Sequence, residues 1–359
     1  MISKRLFGCF PRAGVVDNRT ITNARQQCGP RDVCRSTWYF ASRPILTVGE
    51  EAMTTTTTCE VLYRPKTNGA RFLPEGPIDL GNDVFSWVAI QLGKNSLIGS
   101  LNIFDCKTGE NAAHELPGRP GFALPTTTDD VFICGANRTL GLYNTASREW
   151  QVLADNVDGD VEGTIINDGV SFGHNVIFGC KDLNFEEPKA GLYLWRGEDQ
   201  KLIKLRADQT CSNGKAVVER DGKLVLIDID TPTKTVVSYE INPEAGELSE
   251  ATMVLDLNEL DMFPDGMVLT PDQQSCIIAF YNPNDADNGE ARQYNLASGE
   301  LEHTWLCPKA PQVTCPALVQ IGGETKLVLT TAVEHMSPTR QQTHSNSGSL
   351  FVGATAFGA

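Results

Sequence analysis

An all-β fold, a six-bladed β-propeller, is predicted by three features of this 359-residue sequence. One type of strand, rich in β-branched and aromatic residues, recurs six times at a spacing of about 45–50 residues, as stacked repeat units do. Turn-forming text such as "DCKTGE", "NPEAGE" and "LASGE" separates the strands. Helical periodicity is weak throughout, and only "LDLNELDMF" suggests a short helical turn.

The repeating strand reads "VFSWVAI" (84–90), "VFICGA" (131–136), "VIFGCK" (176–181), "LVLIDI" (224–229), "CIIAFY" (276–281) and "LVLTTA" (327–332). It is the second of its unit, because another apolar run lies just before it each time. A third strand follows in every unit, from "SLNIFD" to "SLFVGA". A fourth follows in five units, for instance "KLIKLR" and "ELEHTW". The sixth unit lacks one, while a spare strand, "CEVLY" (59–63), precedes the first unit. Docked on the sixth blade, that spare strand pairs an open edge and closes the ring. The run "TTTTT" (54–58) reads as its lead-in.

Composition narrows the function classes. Hydrophobic residues make up 41% of the chain, enough for a full core, which excludes global disorder. No apolar run approaches the ~20 residues that span a bilayer. The net charge of −15 argues against nucleic acid or anionic membrane as partners. Residues 1–52 depart from this balance, with eight Lys/Arg against four Asp/Glu. They read as a leader, either a transit peptide or a mis-assigned start with translation beginning at Met53, and 53–359 as the propeller. A cytoplasmic protein is expected, or a mitochondrial or other organellar one if the leader is a transit peptide. Of the eleven cysteines, three lie in the leader, and the other eight include no Cys-x-x-Cys and sit singly in apolar runs, as buried reduced thiols do.

An acid or amide near a glycine recurs at the first strand of most units: Glu75 in "FLPEGPIDL", Asn167 in "IINDGVSF", Asn213 in "CSNGKAVV" and Asp265 in "MFPDGMVLT". Cys315 in "VTCPALV" continues the series, and Gly121-Phe122 marks the remaining blade. Such motifs ordinarily form hairpin turns. Here the hairpin turn comes afterwards, as in Arg220-Asp221-Gly222, so the motifs belong to the entry of the innermost strand. Glycine there permits close approach of converging backbones. Two carboxylates and two amide carbonyls on one axis suit a hard cation, Ca²⁺ first and Mg²⁺ or Mn²⁺ next. None of the five histidines lies in these motifs, which argues against zinc.

The ordered set Glu-Gly-Pro, Asn-Asp-Gly, Ser-Asn-Gly, Pro-Asp-Gly-Met and "PQVTCPALV" before "KLVLTTA" resembles the gluconolactonase/regucalcin (senescence marker protein) family over residues 59–359. The resemblance implies a six-bladed propeller holding one divalent cation, Ca²⁺ first, with Mg²⁺, Mn²⁺ or Zn²⁺ as alternatives. It implies Glu75, Asn213 and Asp265 as metal ligands, Asp265 also as general base, and Asn167 as a substrate contact. The implied activity is metal-dependent hydrolysis of a sugar (aldonic) lactone to the open acid, in a monomer whose partner is the small lactone. Two departures concern the substrate. Ile165 stands where animal members carry arginine, and "CKDLNFEEP" stands where relatives contribute an acid. Lys181, Asp182 and Asn184 are the substrate-binding candidates of that stretch, with surface placement as the alternative for Lys181 and Asp182.

Other residues read more simply. Cys315 is a packed thiol before it is a nucleophile. His174 is a turn residue, and His335 a channel candidate. Trp87 and Phe122 lie near strands that line the pocket mouth, and residues 184–191 form a solvated loop or a lid. A non-catalytic metal-binding propeller, or a hydrolase of organophosphates or other esters at the same site, are the alternative functions.

Overall fold

The computed structural model describes residues 55–358, so the predicted leader (1–52) lies outside the described residues. Six sheets are present, and each antiparallel meander is one blade. The innermost strands are Pro74–Gly81, Pro120–Pro125, Thr164–Phe172, Ser212–Arg220, Phe263–Leu269 and Val313–Ile321, for blades 1 to 6 in chain order. Four of them carry proline (Pro74, Pro120, Pro264 and Pro316). An inner strand has a neighbour on one side only, so a missing N–H facing the axis disrupts no ladder.

The ring closes as the sequence predicts. Glu60–Tyr63 pairs antiparallel with Leu350–Ala354 of blade 6, in a register that sets Val61 opposite Phe351. The threonine run goes further than a lead-in. Thr55–Thr58 forms a strand of its own, parallel to Leu301–Pro308 of blade 5. Threonine favours extended backbone, and the Thr55 and Thr57 hydroxyls both bond the His303 ring, at 2.5 and 2.9 Å. One short segment thus edges two adjacent blades. The α-helix, Pro338–Thr343, interrupts blade 6 where the sequence shows no helical periodicity. It is held by local chemistry: Ser337 caps it by accepting from the Arg340 N–H, and proline occupies the first turn. No helix among the described residues is long and apolar enough to cross a membrane.

The core is divided among the blade interfaces. Phe122 and Ile133 of blade 2 pack on Phe178 and Trp195 of blade 3. Trp87 and Phe104 of blade 1 pack on Val319 and Val328 of blade 6. Cys59, in the closing segment, packs with Trp305 and Phe351 between blades 5 and 6. Trp87 and Phe122 are therefore buried interface side chains, 1% and 2% exposed, and not residues of the pocket mouth.

At the axis the six inner strands approach until side chains no longer fit. A Cβ on Gly121 would lie 1.8 Å from the Asn167 carbonyl oxygen, and one on Gly266 would lie 2.8 Å from the Cys315 Cα. These partners are backbone and cannot swing aside. Gly121→Ala is expected to cost about 3 kcal/mol or more, as overpacking against a rigid neighbour does. Gly358→Ala, with nothing within 4 Å of the new methyl, is the matched control. Urea unfolding of the two variants beside the parent chain checks the difference.

Candidate functional site

Every inner strand breaks register at the motif. The breaks fall at Glu75/Ile78, Pro120/Phe122, Ile166/Gly169, Asn213/Lys215, Pro264/Met267 and Val313/Pro316. They are β-bulges, in which two residues oppose one and the side chain is re-aimed off the sheet face. The Asn-Gly and Asp-Gly pairs thus mark bulges and not hairpin turns. Glu75, Asn167, Asn213 and Asp265, from four blades, line one cavity of about 230 Å³. That is just below the ~300–1,000 Å³ of drug-sized ligand pockets.

Hydrogen bonds fix which atom each amide offers. The Pro264 carbonyl can only accept, so the Thr231 hydroxyl donates to it (2.8 Å). The Thr231 oxygen is then the acceptor for Asn213 Nδ2 at 2.7 Å. This turns Asn213 Oδ1 toward blade 3, where it accepts from Asn167 Nδ2 at 2.9 Å. Asn167 Nδ2 also donates to the Ser212 carbonyl (2.8 Å), which occupies both of its protons. Asn167 Oδ1 has no hydrogen-bond donor among the described residues and lines the cavity as an oxygen acceptor.

The carboxyls are held in an unfavourable place for charge. Burial, and then the nearby Asp168, push Glu75 up to about 8. Burial and Glu75 hold Asp265 well above the usual carboxylate range, with Lys181 opposing. Two such groups in one small cavity keep protons unless a cation is supplied. An all-oxygen donor set with two carboxylates therefore fits a hard divalent cation.

The 181–187 stretch divides by strand parity. Lys181 lines the cavity at 7% exposure. Asp182, its neighbour, points away, as alternate residues on a strand must. It is fully buried, accepts from the Asn184, Glu186 and Glu187 N–H groups at 3.1–3.3 Å, and pairs with Lys189 at 3.2 Å. It therefore shapes the loop and contacts no cavity. Asn184 is exposed and outside the lining, and Phe185, at φ +57°, lines the cavity instead. Lys181 and Asp182 are both buried, so surface placement is excluded for each. Ile165 sits opposite Lys181 across the ladder and is buried. Cys315 is buried too, and burial followed by the Glu75 charge raises its thiol far above the reactive range.

Several cavity residues lie outside the motif series: Thr231, Tyr281, Glu334 and His335. Together with Lys181 they occupy the end of a blade's second strand or the residues just after it. In an antiparallel pair that end lies beside the start of the first strand, so the register alone locates them. No shared residue type marks them in the sequence.

One buried ion pair lies beside the ring. Lys215 Nζ donates to the Asn213 carbonyl (2.5 Å) and pairs with Asp228 Oδ1 (3.2 Å), both side chains being inaccessible. Gln209 Nε2 donates to Asp228 Oδ2 at 2.6 Å. The ammonium thus tethers the backbone of the Asn213 bulge.

The sequence pattern described as the SMP-30/Gluconolactonase/LRE-like region matches residues 73–333. A Bacillus subtilis (strain 168) protein provisionally named sugar lactone lactonase YvrE is 28% identical over 176 residues, covering 48% of this chain and 56% of that one. The chain thus spans about half the length of the curated relatives it matches. Among solved structures, regucalcin from Agrobacterium tumefaciens str. C58, described as a calcium-binding protein, superposes with a TM-score of 0.69 at 20% identity. The match covers 84% of this chain and 95% of that one. A luciferin-regenerating enzyme gives the same TM-score at 16% identity, covering 84% and 98%. At these identities the structural likeness shows the fold.

Lys215→Met leaves Asp228 buried without its cation and is expected to destabilise the chain by about 3–5 kcal/mol at pH 7. Burial already raises the Asp228 carboxyl, so proton uptake shrinks the loss at pH 5. Urea unfolding of variant and parent at both pH values reads the narrowing gap.

Proposed function

The chain belongs to the SMP-30/Gluconolactonase/LRE-like family, and on that premise we propose that it hydrolyses a sugar lactone to its open acid with one divalent cation, Ca²⁺ first. The observation that carries this reading is the convergence of Glu75, Asn167, Asn213 and Asp265 on one cavity, with both amides oriented by neighbours that leave them no alternative. Glu75, Asn213 and Asp265 are the residues that would hold the cation. When bound, it supplies Lewis acidity toward the lactone carbonyl and positive charge for the developing oxyanion.

The chain's own groups divide the remaining work. Asp265, once its proton is displaced, accepts a proton at a carboxylate oxygen from the attacking water. That proton is then available to the ring oxygen that leaves as the ester opens. Asn167 Oδ1 accepts a hydrogen bond from a sugar hydroxyl. Leu73, Ile90 and Phe263 give the cavity apolar walls that limit bulk water.

Two measurements test the reading. After removal of metal with a chelator, acid release from γ- and δ-lactones is followed while Ca²⁺, Mg²⁺, Mn²⁺ or Zn²⁺ is returned. Release is expected to require the cation and to fall by about 10²–10⁴-fold in Asp265→Asn. Tight cation binding without turnover of any lactone would leave a binding protein and sink the proposal.

The second is a pH dependence. Glu75 titrates near 8 in the folded chain against an ordinary 4.5, so the folded state binds the extra proton. Its contribution to stability is therefore present below 4.5 and lost as pH rises toward 8. A cation must displace that proton, so its stabilising effect grows over the same window. The rise in melting temperature caused by 1 mM Ca²⁺, a chosen test concentration of about 10⁻³ M, is expected to be small at pH 5 and largest at pH 8. A shift independent of pH would place cation binding away from Glu75.

A further inference from the structure

Lys181 carries a charge that the chain does not use. It is buried, at 7% exposure, and lines the cavity. Its ammonium makes no hydrogen bond or ion pair with any described residue. The adjacent carboxylate, Asp182, is turned away and taken by Lys189 and three loop N–H groups. Glu334 also lines the cavity, but the ionic neighbour within 4 Å of its carboxylate is His335, at 3.8 Å. What Lys181 does touch is the face of Phe185, 5.5 Å from the ring centroid, on the loop that borders the cavity.

The Lys181 nitrogen is accessible only from a cavity with apolar walls, where water or a ligand, and not the protein, must satisfy its N–H groups, and the aromatic face supplies only part of that stabilisation. Glu75 and Asp265 do not fill the gap. Their two negative charges are matched by the divalent cation of the proposed function, and Glu334, the remaining carboxylate of the lining, makes no ion pair with Lys181, so the ammonium is left without a bonded counter-ion in the cavity.

We propose that Lys181 is a specificity residue that binds an anionic group, carboxylate or phosphate, carried by the substrate away from the ester being opened. The substrate class is then an acidic sugar lactone and not a neutral one, an assignment that rests on the lactonase reading above. Lys181 Nζ donates to the anion, and the Phe185 ring holds the ammonium over the cavity and shields the pair from water. The cross-strand neighbour Ile165 contributes no second charge, so recognition falls on this one lysine.

The test compares three lactones on the calcium-loaded full chain: glucono-1,5-lactone, which is neutral, glucaro-1,4-lactone, which carries a carboxylate, and 6-phosphoglucono-1,5-lactone. One acidic lactone is expected to exceed the neutral one about tenfold or more in kcat/KM, the difference lying mainly in KM. Which of the two it is distinguishes carboxylate from phosphate. Lys181→Met is expected to reduce the acidic-to-neutral ratio by about 10–100-fold, and Lys181→Arg to preserve most of it. A ratio unchanged in Lys181→Met, or a preference for the neutral lactone in the parent, overturns the proposal.

Should none of the three be hydrolysed, calorimetry decides the role of Lys181 separately from the lactonase reading. Glucarate, 6-phosphogluconate and gluconate are then titrated into the calcium-loaded chain. Tighter binding of either ligand with a second anionic group than of gluconate, lost in Lys181→Met, upholds the anion site. Equal affinities for all three overturn it. Melting curves of each variant separate loss of recognition from loss of fold.

Discussion

A blade buries its faces against its neighbours, so six blades have no uncovered face only when the first meets the last. Trp87 and Phe104 illustrate the dependence, because the surface they cover belongs to blade 6, at the far end of the chain. Closure forces the inner strands together around an axis, and the geometry there is decided by backbone contact. Gly121 against the Asn167 carbonyl and Gly266 against Cys315 are two such points. Hydrogen bonds cross between blades at the same level, from Asn167 to Ser212, from Thr231 to Pro264 and from Thr314 to Pro74. The ring is thus stitched at its centre as well as packed between its blades.

The site is a by-product of that crowding put to use. A strand that must bend near the axis does so through a bulge, and a bulge turns a side chain out of the sheet plane. When the side chain is Glu75 or Asp265, charge is delivered to a place poor in water. The penalty appears as carboxyls that hold their protons, and it makes the cavity receptive to a cation. Fixed amides complete the arrangement at little entropic cost, since Thr231 and Ser212 hold Asn213 and Asn167 in one orientation each.

Much of this was legible in the sequence because it repeats. Six strands of one kind, the missing fourth strand of the last unit and the spare strand at 59–63 determine blade number and closure. The four ring residues stand at blade spacing with a glycine one or two residues on, so they could be aligned with one another. Thr231, Tyr281 and Glu334 occupy equivalent places on other strands, yet they are an alcohol, a phenol and an acid, and nothing in their neighbours unites them. Lys181 and Asp182 differ only by strand parity, and because both faces of their strand are buried no polar–apolar alternation shows which of them faces the cavity. The threonine run carries no apolar face to show that it pairs. Its partner, Leu301–Pro308, is an outer strand whose free edge accepts it through backbone alone.

The segment that closes the ring comes from the opposite end of the chain. Val61 lies opposite Phe351, a separation of 351 − 61 = 290 residues. During synthesis Glu60–Tyr63 therefore emerges long before its partner and waits, its edge unmatched, until residues 350–354 have left the ribosome. Contacts of such long range form slowly, and an unpaired strand in the meantime is available to other chains. The five intact meanders in between can collapse as they appear, but the last blade cannot. Closure of this propeller is thus a late event, set by the meeting of Glu60–Tyr63 with Leu350–Ala354 and not by the order in which its blades are made.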